Sequence, residues 1–182
     1  LRWPVIVGGS LISLSLIFLH IIETDKPIDM MVYRAGVQEF INGGEVYSKP
    51  MHVEGIDLPF IYPPFGALVM VPLAWPAISD DMAGNIMNII SDVLLVVCLY
   101  LIIRAIGPRL SRLSAWAIAI GAWPFLLLIE PVRLNNGFAQ INIVIMALVV
   151  LDLVPRKRFL PQGSLIGIAA AIKVTPLAML LY

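Results

Sequence analysis

The chain has 182 residues, of which 60% are hydrophobic and only 13% charged, with a mean hydropathy of +0.94. Soluble domains carry about 45–50% apolar and roughly 25% charged residues, so this sequence has too little polar surface for a water-soluble globule. Its formal net charge of zero excludes the basic field that nucleic-acid binding requires, and its one cysteine, Cys98, excludes an internal disulfide.

In chain order, Arg2 precedes an uncharged stretch over 3–22, followed by Glu23, Thr24 and Asp25 rather than by a small-residue cleavage pattern. About 20 apolar residues cross a 30 Å hydrocarbon core, so 3–22 is expected to be a retained transmembrane helix. The polar stretch 23–59 follows, with a candidate short helix over 30–41 that Asn42-Gly43-Gly44 breaks. Segment 60–76 is apolar but holds Pro63, Pro64, Pro72 and Pro76, which suits a juxtamembrane or re-entrant element better than an uninterrupted span. Four further spans are expected at about 84–103, 113–129, 138–154 and 164–182. Ser79-Asp80-Asp81 supplies N-cap material for the first of these, and Gly107-Pro108 ends it. Glu130–Gly137 is expected to be a short turn.

If 60–76 does not span, Arg2, the Arg104–Arg109–Arg112 loop and Arg156-Lys157-Arg158 share one side of the membrane. The positive-inside rule makes that side the cytoplasm and places 23–59 and 130–137 outside it. The apolar run is still open at Tyr182, so the chain is expected to be the N-terminal part of one longer transmembrane domain. The fold expected is all-α: a multi-helix membrane bundle with an extracytoplasmic first loop carrying short juxtamembrane helices.

Polar groups at membrane depth need partners, since a charge at the bilayer centre costs about 2.5–3.5 kcal/mol on insertion scales. Lys173, near the middle of 164–182 within Ala-Ile-Lys-Val-Thr-Pro, fits either a snorkelling or paired lysine or a cation kept for an anion such as a lipid phosphate. Asn85, Asn88 and Asp92 share one helical face, and interhelical hydrogen bonding accounts for them. Gln140 and Asn142 at the start of 138–154 serve either as caps or as partners for sugar hydroxyls. Arg133 on the outer side has a planar fork suited to phosphate. Asp29 is placed either to cap the 30–41 helix or to act as a base at the membrane edge, with Asp25 and Glu23 as rivals; Asp80-Asp81 reads as capping material. The sequence contains no phosphate-cradling glycine loop, paired Cys/His spacing or nucleophile elbow, and His20 and His52 stand alone. No metal or cofactor is expected.

Taken together, Asp29-Met-Met-Val-Tyr33 with Gly43-Gly44-Glu-Val-Tyr47, Leu58-Pro-Phe-Ile-Tyr62-Pro-Pro-Phe65, Val71-Pro-Leu73, Gln140-Ile-Asn142 and Gly167-Ile-Ala-Ala-Ala-Ile-Lys173-Val-Thr-Pro176 resemble glycosyltransferase family 87. These are GT-C membrane enzymes that include the polyprenol-phosphate-mannose-dependent alpha-1,2-mannosyltransferases of phosphatidylinositol mannoside and lipoglycan synthesis. One departure is visible: the family often has Gly before the Gln, where this chain has Ala139. The resemblance implies a bacterial plasma-membrane, multi-pass transferase with its active site facing the extracytoplasmic side. Its donor is a polyprenyl-phosphate sugar and its acceptor a glycolipid or lipoglycan. It implies Asp29 as general base, with Tyr33, Arg34, Tyr62, Arg133, Gln140, Asn142 and Lys173 on the substrates, and inversion at the sugar. Relatives with similar motifs use decaprenyl-phosphate arabinose. On composition alone, a transporter or a structural membrane subunit stays open.

Overall fold

The computed structural model describes residues 7–9, 26–155 and 160–181. The expected first span 3–22 (except for the helical residues 7–9), Glu23, Asp25 and the basic run 156–158 lie outside the described residues. The rest is mostly helical, and the all-α expectation needs one addition, a small β-hairpin.

The first complete helix, α1, runs Ile28–Ile41 with Met30, Tyr33, Arg34 and Val37 on its buried face. Pro27 is its N-cap residue and no side chain caps it; Asp29 therefore sits inside the first turn, where the helix dipole favours a carboxylate, and is not the cap. The helix ends where Asn42 donates back to Gln38 and Gly43 takes a left-handed φ of 73°. The chain then forms two antiparallel strands, β1 (Met51–Val53) and β2 (Ile56–Leu58), paired Met51 to Leu58 and Val53 to Ile56. Glu54 and Gly55 both have positive φ, the backbone of the tight turn that matches strand twist. His52 and Asp57 face each other across the pair, 2.8 Å apart.

Helix α2 (Pro64–Met70) starts on a proline and passes into a 3₁₀ turn, Val71–Ala74. Together they are too short to cross a bilayer, at roughly 18 Å against 30 Å. Helix α3 (Asp80–Ile106) has 27 residues and is capped by the Ser79 hydroxyl, which accepts from Met82 N–H at 3.1 Å. Among the described residues it is the one single helix long and apolar enough to span a membrane. Its Ile89 and Val93 are 64% and 58% exposed, an arrangement that suits lipid rather than water.

Two prolines account for the breaks that follow. Proline lacks an N–H and its ring crowds the carbonyl four residues back. Helix α4 (Arg112–Leu127) ends four residues before Pro131, and α5 (Glu130–Gly137) leaves at 76° to it. The segment expected as a short turn is thus a helix of eight residues. Helix α6 (Asn142–Leu153) begins four residues later than the expected 138. Helix α7 (Ser164–Ile172) ends four residues before Pro176, Lys173 is extended at φ −147°, ψ 133°, and the chain resumes as a 3₁₀ helix, Thr175–Leu181. The expected helix over 164–182 is therefore broken at the lysine.

Met30, Tyr33 and Val37 of α1 pack with Ala67 and Met70 of α2, Ala83 and Met87 of α3, Ile141 and Ile145 around α6, and Ala169 and Ile172 of α7. Tyr33 and Tyr62 belong both to this core and to the polar group described next.

Candidate active site

Three helix ends converge. The first turn of α1 brings Asp29, the start of α6 brings Gln140 and Asn142, and the break after α7 brings Lys173. The Gln140 amide donates to Asp29 Oδ2. The Asn142 amide donates to Gln140 Oε1 at 2.6 Å, and Lys173 Nζ donates to Asn142 Oδ1 at 2.7 Å. One continuous chain of side-chain hydrogen bonds thus joins an acid to a cation. Neither amide caps α6.

The tyrosines close the other side. Lys173 Nζ lies 5.4 Å from the centre of the Tyr62 ring, within cation–π range. The Tyr62 and Tyr33 hydroxyls are 2.7 Å apart and their rings meet edge to face. Both side chains are buried. Burial, and after it the neighbouring Tyr62 and Asp29, raises the Tyr33 phenol well above its ordinary value; burial is likewise the main cause of the rise at Tyr62. Both therefore stay neutral. Tyr47 adds a 2.9 Å bond from its hydroxyl to the Tyr62 carbonyl.

Backbone fixes this geometry. Gln140 N–H donates to Asn135 O at 2.7 Å, and Met30 N–H donates to Phe138 O at 3.4 Å, tying α1 to the segment before α6. Ala139 has φ 52° and is fully buried, so the departure from the family pattern falls where the backbone is left-handed and favours glycine. Gly84 of α3 makes room for both strands of this junction: a Cβ there would meet Pro27 Cβ at 2.8 Å and Ala139 Cβ at 3.5 Å. Gly66 of α2 does the same at the α7 break, where a Cβ would lie 2.6 Å from Ile172 O and 3.3 Å from Tyr62 Cβ. Gly66→Ala must therefore displace Tyr62 or the residue leading to Lys173. A loss of about 1–3 kcal/mol is expected, read as a lower melting temperature of the detergent-solubilised protein.

Arg34 does not join this group. Its Nε donates to Asp80 Oδ1 at 2.6 Å, Nη2 to Ile78 O at 2.6 Å, and Nη1 to Leu73 O. The buried guanidinium joins α1 to the start of α3 and to the 3₁₀ turn, and Asp80, half-exposed, is its counter-ion as well as a first-turn residue of α3. Arg34→Met leaves two carbonyls without their donors, a loss of about 2 kcal/mol or more at about 1–3 kcal/mol per unmade bond. The expected signature is less folded protein with specific activity per folded molecule kept. A fall in specific activity at unchanged melting temperature would instead place Arg34 on substrate.

Arg133 is exposed on α5, outside the hydrogen-bonded chain. Of the polar face on α3, Asn88 donates to Asn136 O and Asp92 accepts from the Asn136 amide, both at 2.9 Å, the interhelical bonding expected; Asn85 is exposed. Sequence reasoning missed Asn136, the partner of both, and Asp152, a buried acid inside the apolar run of α6 whose charge was the available signal. Among the described residues no cluster of three metal-binding side chains exists.

The profile of glycosyltransferase family 87 matches residues 60–182. The chain is 36% identical over 167 residues to a polyprenol-phosphate-mannose-dependent alpha-(1-2)-phosphatidylinositol mannoside mannosyltransferase of Mycolicibacterium smegmatis, covering 85% of this chain and 38% of that one. It is 31% identical over 174 residues to the Mycobacterium tuberculosis protein of the same name, covering 88% and 40%. A Corynebacterium glutamicum alpha-(1->3)-arabinofuranosyltransferase is 27% identical over 151 residues, covering 80% and 34%. The chain thus spans about two fifths of the length of these mannosyltransferase relatives. No solved structure matches. The match over 60–182, two thirds of the chain, shows that it belongs to glycosyltransferase family 87.

Proposed function

We propose that the protein transfers a mannosyl group from a polyprenyl-phosphate mannose to a phosphatidylinositol mannoside or related lipoglycan acceptor, with Asp29 as general base and Lys173 at the donor phosphate. The observation that carries this reading is the chain Asp29–Gln140–Asn142–Lys173. Lys173 is half-buried, and among the described residues no carboxylate lies within ion-pair distance of it. A desolvated cation without a counter-ion is costly, and an anionic ligand would supply one. The names of the two mannosyltransferase relatives point to a lipid phosphate donor and a glycolipid acceptor.

In this mechanism the Gln140 amide holds one Asp29 oxygen and leaves the other for an acceptor hydroxyl. As the acceptor oxygen forms its bond to the anomeric carbon, its proton passes to Asp29. The bond from that carbon to the phosphate oxygen breaks on the opposite face, so configuration inverts. The electron pair leaves on polyprenyl phosphate, whose growing charge Lys173 stabilises. Tyr33 and Tyr62 stay protonated and offer hydroxyls to the sugar. Arg133 is exposed on α5 and available to an acceptor or lipid phosphate.

The site lies at the Asp80 end of α3, and Arg104, Arg109 and Arg112 gather at the other end, about 40 Å away for 27 residues. With basic loops in the cytoplasm, this supports a multi-pass protein whose site faces the extracytoplasmic side. Family membership favours transfer over transport. A second reading changes only the sugar, because the Corynebacterium relative is named for arabinofuranose. Membranes containing the full-length protein should move label from polyprenyl-phosphate mannose, and not from decaprenyl-phosphate arabinose, onto an extracted phosphatidylinositol mannoside. Label from the arabinose donor alone would establish the second reading.

A further inference from the structure

At the far end of α6 from the site, Asp152 is 3% exposed. Its Oδ1 accepts from Gly163 N–H and its Oδ2 from Ile166 N–H, each at 2.9 Å. The first amides of a helix lack intrahelical acceptors and its N-terminus favours an anion. The carboxylate therefore holds the start of α7 by two separate bonds, one from each oxygen. Gly163 turns into that helix at φ 92° with no side-chain cap of its own.

Helices α6 and α7 are antiparallel neighbours, and the residue that opens α6, Asn142, meets the residue just after α7, Lys173, at 2.7 Å. Asn142 and Asp152 are ten residues apart, about 15 Å along the axis. The pair is thus pinned at both ends, by Asp152 on amides and by Asn142 on the lysine. A slide of α7 by one residue is about 1.5 Å, enough to break a 2.7 Å bond.

We infer that Asp152 is a positioning residue for transfer: by anchoring the start of α7 it sets the depth at which Lys173 stands beside Asn142. The inference rests on Lys173 meeting the donor phosphate, as proposed above. Asp152 touches neither substrate nor the reacting atoms; its effect runs through α7, whose far end passes so close to Gly66 that a Cβ there would lie 2.6 Å from Ile172 O.

A double-mutant cycle in the full-length protein tests this. Asp152→Ala is expected to lower kcat/KM for the lipid-linked donor about 10-fold or more in the wild-type background, and less than about twofold when Lys173 is already Met, since coupled residues do not act additively. Asp152→Asn keeps one acceptor and is expected to fall between; if the alanine variant does not accumulate, the cycle is read on asparagine. A readout independent of activity is cross-linking of Asn142→Cys with Lys173→Cys by a short bismaleimide in a background with Cys98 and every other native cysteine replaced. Its yield is expected to drop when Asp152→Ala is added at unchanged folded amount. Equal losses in both backgrounds, or an unchanged cross-link, would overturn the inference. A Lys173→Met single variant with full transfer would overturn the phosphate reading instead, while a drop in the cross-link would still stand for Asp152.

Discussion

Asp29→Asn is expected to lower kcat at least about 100-fold, the lower end of what a positioned base contributes, with little change in melting temperature or in the KM for donor. The substitution is nearly isosteric. An asparagine oxygen still accepts the Gln140 amide that now bonds Asp29, so the junction of α1 with the start of α6 survives. What the proposed mechanism loses is the capacity to take a proton from the acceptor hydroxyl as it attacks. Donor binding, which the proposed mechanism assigns to Lys173 and the tyrosines, is expected to be left alone. Purified wild type and variant, matched in amount and assayed at saturating donor, give the comparison. Activity within about tenfold of wild type would move the base to Glu23, Asp25 or beyond this chain.

Lys173→Met is expected to have the next largest effect, a loss of about 10²–10³ in kcat/KM for the donor, the scale seen when one donor to a developing oxyanion is removed. The KM for acceptor should change little. Stability supplies the second half of this prediction. Among the described residues no carboxylate pairs with this half-buried cation, so its desolvation is an uncompensated cost that an apolar side chain of similar length removes. The variant should therefore melt no lower than wild type although Asn142 loses the donor to its Oδ1 and keeps only the bond from its amide to Gln140. Lost activity together with lost stability would make Lys173 a structural cross-brace of α6 and α7 instead.

The side chains that the structure joins, Asp29, Gln140, Asn142 and Lys173, were each singled out in the sequence for a physical reason. Lys173, Gln140 and Asn142 stand out because polar groups in apolar runs need partners, and the tyrosine and Asp29 elements stand out through their family spacing. Their mutual contacts were not legible, because Asp29 and Gln140 are 111 residues apart. Arg34 illustrates a different limit. Two of its three acceptors are the carbonyls of Leu73 and Ile78, and a backbone carbonyl leaves no mark in a sequence. The strands of three residues around Glu54-Gly55 are too short for an alternation to register. Glu130–Gly137 reads as a turn because it is polar and follows a break, yet Pro131 is suited to a first helical turn. The break at Ile172 was within reach, since Pro176 crowds the carbonyl four residues before it. Ala139 was visible as a departure, but only its φ of 52° shows why glycine suits that place.

The most direct measurement is a cryo-electron microscopy structure of the full-length protein with a non-transferable polyprenyl phosphonate mannose. The account predicts the phosphonate about 2.7–2.9 Å from Lys173 Nζ, as in charge-assisted bonds, with the anomeric carbon facing the free oxygen of Asp29. A phosphonate held elsewhere, with Lys173 still bonded only to Asn142, would contradict it.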